Sequence, residues 1–185
     1  MRTPTFQHMP SSTSFWSVVA IATAFVVAGL ASAHHMESAG HWVTGMNNRV
    51  VWGVPHVFAV FLIVSASGAL NVASIASVFG RETYKPLSRL SALMAITLLV
   101  GGLTVLVLDL GRPDRLIVAM THYNFRSIFA WNIFLYTGFI VLVVVYLWMM
   151  FEPRMNRFVG RVGTTAFAWR LMLTTGTGSI FAFLA

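Results

Sequence analysis

The run LSRLSALMAITLLVGGLTVLVLDLGRPDRLI (residues 87–117) decides what kind of fold this chain has. Between Arg89 near its start and Asp109 near its end it carries no charge. At about 1.5 Å per residue, a helix over 87–110 crosses a hydrocarbon core of about 30 Å. The run then breaks, because Pro113 disfavours helix at Arg112 and the chain turns. Asp109 sits at that break with Leu108 and Leu110 on either side, a carboxylate where an apolar helix is still leaving its core.

Composition extends the reading to the whole chain. Of 185 residues 57% are hydrophobic and 9% charged, with a mean hydropathy of +0.78. Soluble domains carry about 25% charged residues, so the bilayer is the solvent this composition implies. There is no cysteine, which excludes a disulfide framework, a Cys-ligated iron–sulfur cluster or a thiolate zinc site in this chain. The net charge of +7 comes from cations placed singly between apolar runs, the pattern of membrane flanks and not of a nucleic-acid surface.

Four complete apolar segments, 14–33, 50–79, 87–110 and 127–151, are followed by a fifth that begins at 164 and runs to 185. Backbone groups in lipid need internal partners, so these are helices. The expected architecture is an all-α integral membrane protein: a tail (1–13), a four-helix transmembrane bundle (14–151), a cytoplasmic loop (152–163) and a fifth helix (164–185), with continuation beyond it left open. The first segment also reads as a secretory signal, with Arg2, an apolar stretch and the small triplet Ala31–Ser32–Ala33. With the N-terminus inside, Arg2, Arg81, Lys85, Arg89, Arg154, Arg157, Arg161 and Arg170 are cytoplasmic, and Arg49, Arg112, Arg115 and Arg126 lie outside. That bias places the N-terminus in the cytoplasm of an inner (plasma) membrane, with loops 34–49 and 109–126 on the outer face.

An ionisable residue inside a membrane costs about 2.5–3.5 kcal/mol and is by default a functional-site hypothesis. His56 in GVPHVFAVF lies early in the second segment, which enters from the outer face. Asp109 ends the third, which returns to that face, so the two arrive at similar depth. Histidine exchanges a proton near neutral pH. A His/Asp pair at the boundary therefore suits a lipid-dissolved, two-proton ligand, and a quinone is one. A packed histidine, or an Asp109 ion pair with Arg112 or Arg115, are the plainer alternatives. Arg112, Asn124 and Arg126 of the loop, with Trp131 and Asn132 of the fourth segment, are candidates for the rim of a headgroup pocket or for the interfacial belt. At about 100° per residue, Ser67, Asn71 and Ser74 fall on the same side of the second helix as His56. That line is either a proton path or a stripe of small residues for close helix packing.

A bis-histidine haem needs two histidines on facing helices. Besides His56, the histidines His8, His34, His35, His41 and His122 fall in tails or loops, and no metal site is expected from His34, His35 and His41.

GVPHVFAVFLIVSASGALN (53–71), KPLSRLSALMAI (85–96), VLVLDLGRPDRL (105–116) and HYNFRSIFAWNIFLYTG (122–138) together resemble the NrfD/polysulfide-reductase membrane-subunit family, specifically its N-terminal half. The resemblance implies a quinone-reactive membrane anchor of a modular respiratory oxidoreductase, without haem or iron–sulfur cluster of its own. It also implies a ferredoxin-like subunit with several [4Fe–4S] clusters docked on the outer face, a molybdopterin catalytic subunit in many members, and further helices, here supplied by another chain or by more of the same one. His56 matches a histidine that helps hold the quinone headgroup in the family, and Asp109 matches a polar position before Gly-Arg-Pro implicated in quinone or proton handling. The quinone, menaquinone or ubiquinone, is an exchangeable substrate. A non-catalytic anchor and a proton-translocating subunit are the alternatives.

Overall fold

The structure, a computed structural model, describes residues 11–50, 52–122 and 124–183. Arg2, His8 and most of the expected 1–13 tail lie outside them, as do the last two residues of the expected 164–185 helix. Among the described residues the chain is helical without strands: α1 (Thr13–Ala39), α2 (Val54–Ser77), α3 (Lys85–Leu108), the short α4 (Leu116–Thr121), α5 (Ile128–Phe151) and α6 (Val159–Phe183). Helices α1, α2, α3 and α5 are long and apolar enough to cross a membrane. This is an all-α membrane protein.

Local chemistry sets the boundaries. Ser12 caps α1 by accepting from the Phe15 N–H at 3.2 Å. The helix runs past the Ala31–Ser32–Ala33 triplet to Ala39, where Gly40 at φ 96° ends it. His34 and His35 therefore belong to α1, not to the loop that hydropathy suggests. Helix α2 starts at Val54, four residues later than expected, with Pro55 in the first turn, where its missing N–H costs no helical bond. Helix α6 starts at Val159, five residues earlier than expected, after a 3-10 turn over Pro153–Phe158. The glycines that read as loop there serve a helix contact instead: a Cβ on Gly163 would lie 2.8 Å from Ser77 Oγ and 3.1 Å from Tyr146.

The four helices that pack around one core are α2, α3, α5 and α6. Leu70, Leu99, Phe139, Val143 and Tyr146 fill the centre, with Leu173 from α6. Chain order suggests a bundle of the first four spans; the packing instead draws in the fifth and leaves α1 at the periphery, where Met36 is its one buried residue. The reason lies in the side chains that interlock. Trp169 of α6 lies against Gly138 of α5 and donates to the Leu135 carbonyl at 2.9 Å, whereas α1 presents Phe25, Val26, Val27 and Leu30 outward.

Helices α2 and α3 meet at Gly102, where an added Cβ would lie 2.8 Å from Ile63 Cγ1 and 3.1 Å from the Ala59 carbonyl. Isoleucine can shift its side chain but the backbone oxygen cannot. Gly102→Ala should therefore destabilise the protein by about 1–2 kcal/mol through overpacking, read as a lower thermal midpoint in detergent. An unchanged midpoint would show that the two helices are free to separate. This contact also sets the register of the site. Helix α3 runs antiparallel to α2, so moving from Gly102 to Asp109 along one and from Ile63 to His56 along the other covers the same distance to the same end.

Candidate functional site

At that end His56 Nδ1 stands 3.3 Å from Asp109 Oδ2, and the two side chains keep only 13% and 7% of their exposure. His56 is in the first turn of α2, shallower than expected because the helix begins at Val54. Asp109 caps the C-terminus of α3, its N–H still bonded to the Val105 carbonyl. Arg112 leaves helical geometry at φ −145° and ψ 75°. The chain turns away just after the carboxylate, so Arg112 and Arg115 are exposed and neither pairs with Asp109 among the described residues. The partner of Asp109 is His56, and the alternative ion pair with Arg112 or Arg115 is not formed among the described residues.

In the tautomer that donates Nδ1–H to the carboxylate, Nε2 is the ring nitrogen that carries the lone pair. Asp109 Oδ1 is buried and has no hydrogen-bond partner among the described residues. A second acceptor thus stands next to the histidine. The Trp52 ring lies over the imidazole, tilted by 34° with centroids 4.1 Å apart.

His56 opens onto a narrow crevice of about 60 Å³ between α2, α3, α5 and α6. Its lining is mostly apolar, with three polar side chains tied to one another. Tyr136 Oη and Thr177 Oγ1 are 2.9 Å apart, Thr177 donates to Asn132 Oδ1 at 3.2 Å, and Asn132 Nδ2 donates to the Ile128 carbonyl at 3.0 Å. Sequence reasoning misses Tyr136 and Thr177. Tyr136 stands in a run of apolar residues, and Thr177 belongs to a TTGTGS segment indistinguishable from a small-residue packing stripe.

Other candidates lie elsewhere. Asn124 is exposed and closes its own turn, accepting from the Arg126 N–H at 3.1 Å. Trp131 is exposed, donates to the Phe125 carbonyl at 2.9 Å and packs edge-on with Phe125 and Phe134. Neither residue, nor Arg112, lines the His56 crevice. Ser67 and Asn71 face Arg170 of α6. That arginine is 6% exposed, and its Nη1 donates to the Ser67 carbonyl at 3.0 Å and to Asn71 Oδ1. Ser74 bonds within its own helix, to the Leu70 carbonyl at 2.9 Å. In the sequence Arg170 reads as a cytoplasmic flanking charge. It is instead inside the bundle, about 16 Å along the helix axis from Val159. Without Arg170, the cations expected on the cytoplasmic side number seven against four.

His41 stands over Gly111 at the same end as the pair, with its Nε2 3.8 Å from Glu37 Oε1. Among the described residues no three His, Asp or Glu side chains converge as a metal site.

Fold and site together define a polytopic helical membrane protein with a titratable pair at one end of its bundle. The chain belongs to the polysulphide reductase NrfD family, whose model matches residues 42–185. It is 32% identical over 142 residues to the Hdr-like menaquinol oxidoreductase integral membrane subunit of Archaeoglobus fulgidus, covering 77% of this chain and 36% of that one. It is 26% identical over 176 residues to the menaquinone reductase integral membrane subunit of Nitratidesulfovibrio vulgaris, covering 95% of this chain and 42% of the relative. With the protein NrfD of Escherichia coli it shares 31% over 128 residues, 65% of this chain and 36% of that one. The chain thus spans well under half the length of these relatives. No solved structure matches it.

Proposed function

We propose that this chain is a quinone-reactive membrane subunit of a modular oxidoreductase, exchanging electrons with an iron–sulfur partner docked at the end that carries His56 and Asp109. The observation that carries the reading is the buried His56–Asp109 pair, joined across α2 and α3 where both helices reach one boundary of the membrane. The names of the relatives, two of them menaquinol or menaquinone proteins, support it. In the oxidising direction a quinol hydroxyl bonds His56 Nε2, which takes its proton. The second proton goes to the carboxylate of Asp109, directly or through water. The two electrons leave to the partner's nearest cluster, and quinone remains. Arg112, Asn124 and Trp131, exposed outside the crevice, are carried in this proposal as the approach of the headgroup and not as its holding residues.

The test is quinol turnover by the purified, assembled complex with His56 and Asp109 replaced. A smaller effect is expected from Tyr136→Phe. Removing its hydroxyl takes from the crevice wall a polar group that a quinol headgroup can bond, a contact of about 1 kcal/mol, so KM for quinol should rise several-fold while assembly persists. No change in KM would remove the crevice wall from the binding site.

The rival reading of a proton-translocating subunit rests on a different observation, the buried Arg170 against Asn71. A non-catalytic anchor is the third, and turnover insensitive to both His56 and Asp109 is its signature.

A further inference from the structure

Among the described residues Arg170 is a buried cation with no carboxylate beside it. Its Nη1 donates to the Ser67 carbonyl and to Asn71 Oδ1, and its Cζ stands 4.7 Å from the centre of the Phe167 ring. All three partners are neutral, so they solvate the guanidinium and leave its charge uncancelled. A charge withdrawn from water is costly unless an opposite charge offsets it, and ionisable residues inside membranes are found paired. The sequence has five acidic residues, Glu37, Glu82, Asp109, Asp114 and Glu152. Each lies in a loop or within two residues of a helix end, and none is at mid-span.

Depth narrows the source of the missing charge. Gly163 of α6 packs beside Ser77, at the end of α2 remote from His56. Arg170 is about 10 Å further along α6, and its guanidinium reaches the Ser67 carbonyl, about 15 Å along α2 from Ser77. The side chain therefore points toward the middle of the membrane and away from the nearer headgroups, the reverse of a snorkelling cation. A lipid phosphate does not meet it there, and a second copy of this chain brings no carboxylate at that depth.

The guanidinium is also open on one side. Among the described residues its hydrogen bonds come from Nη1 alone, and the fully buried side-chain atoms that lack a partner include none of Arg170. Nη2 and Nε thus keep donors that reach the bundle surface. Next to them Asn71 of α2 and Thr174 of α6 are exposed, and a Cβ on Gly68 would meet nothing within 4 Å. Polar side chains and a glycine step at membrane depth suit contact with another helix better than contact with lipid.

We propose that the seam between α2 and α6 is the docking surface for a transmembrane helix of another subunit, one that carries an aspartate or glutamate at mid-span whose carboxylate closes on the Arg170 guanidinium. This surface stands apart from the quinone reading and does not depend on it.

The experiment uses the assembled complex in native membranes, with the photo-crosslinker p-benzoylphenylalanine in place of Thr174 and, as a control, in place of Val144 on an exposed face of α5. Irradiation should capture another polypeptide from position 174, and mass spectrometry of the crosslinked peptide should find an aspartate or glutamate inside its membrane span. Arg170→Gln keeps a donor toward Ser67 and Asn71 but not the charge, and should lower capture at least about tenfold. Arg170→Lys should keep most of it. Replacing the captured carboxylate by its amide should give the same loss, and adding Arg170→Gln to that variant should lower capture little further, because the two groups form one pair. The amide variant leaves this chain untouched, so a misfolded Arg170 variant does not imitate the result. Capture of lipid alone, of a second copy of this chain or of a segment without a mid-span carboxylate would overturn the assignment. So would capture that Arg170→Gln leaves unchanged, or equal capture of the same segment from position 144.

Discussion

His56→Ala in the assembled complex is expected to lower quinol oxidation at least about tenfold, because a positioned general base contributes about 10²–10⁴-fold. The variant removes two things at once: the nitrogen that takes the first proton, and the N–H that holds Asp109 Oδ2 at 3.3 Å. The second loss leaves a buried carboxylate with neither oxygen hydrogen-bonded, at a cost of about 1–3 kcal/mol. Lost stability must therefore be separated from lost chemistry. Asp109→Asn does so, since an amide keeps the shape and still accepts from the imidazole N–H, but it takes up no proton. Quinone-site chemistry predicts that Asp109→Asn assembles on a native gel yet turns over at least about tenfold more slowly, about 1.4 kcal/mol of transition-state stabilisation. Turnover that survives in both variants, with assembly intact, would falsify the quinone site and leave an anchor whose helix ends are tied by a structural pair.

This pair is legible in the sequence for a simple reason. Two long apolar segments in succession must run antiparallel through a bilayer. A residue early in one and late in the next therefore meet at one face, wherever the segments end to within a turn. Neither the four-residue shift in the start of α2 nor the conformation of the loop changes that result. The partner of Asp109 is less legible. Arg112 and Arg115 are near in sequence, but Pro113 and the geometry at Arg112 send them outward. The His56 contact depends on the close approach at Gly102, visible only once the helices are packed. Hydropathy likewise identifies the spans without showing which of them share a core. It reports average polarity and says nothing of the fit of Trp169 against Gly138, so it does not reveal α6 as a bundle helix. Tyr136 and Thr177 escape for the same reason, since their hydroxyls face each other across two helices that no local pattern brings together.

Arg170 is where that blindness matters most, and it carries the other large prediction. An arginine near a weakly apolar segment reads as a membrane flank, whereas the fold buries it against the line Ser67–Asn71 on α2. The polar residues that suggest a proton wire have another task there: the Ser67 carbonyl and the Asn71 amide solvate a guanidinium that lipid cannot. Asn71→Leu should then destabilise the protein by about 2–3 kcal/mol, the value of a hydrogen bond to a buried charge, with a clear fall in thermal midpoint. Arg170→Met alone also costs stability, because it strands the Asn71 carbonyl. The pair of substitutions together should recover most of the loss, as replacing a buried polar pair by apolar side chains is often nearly neutral. Losses that simply add would mean that the two side chains do not act on each other. Turnover in the stabilised double variant then decides the role. If quinol oxidation and any coupled proton movement persist per assembled complex, the contact is a clamp between α2 and α6. If proton movement stops while quinol oxidation continues, Arg170 lies on a conducting route, because the double variant has kept the packing and removed only the charge and its polar ligand.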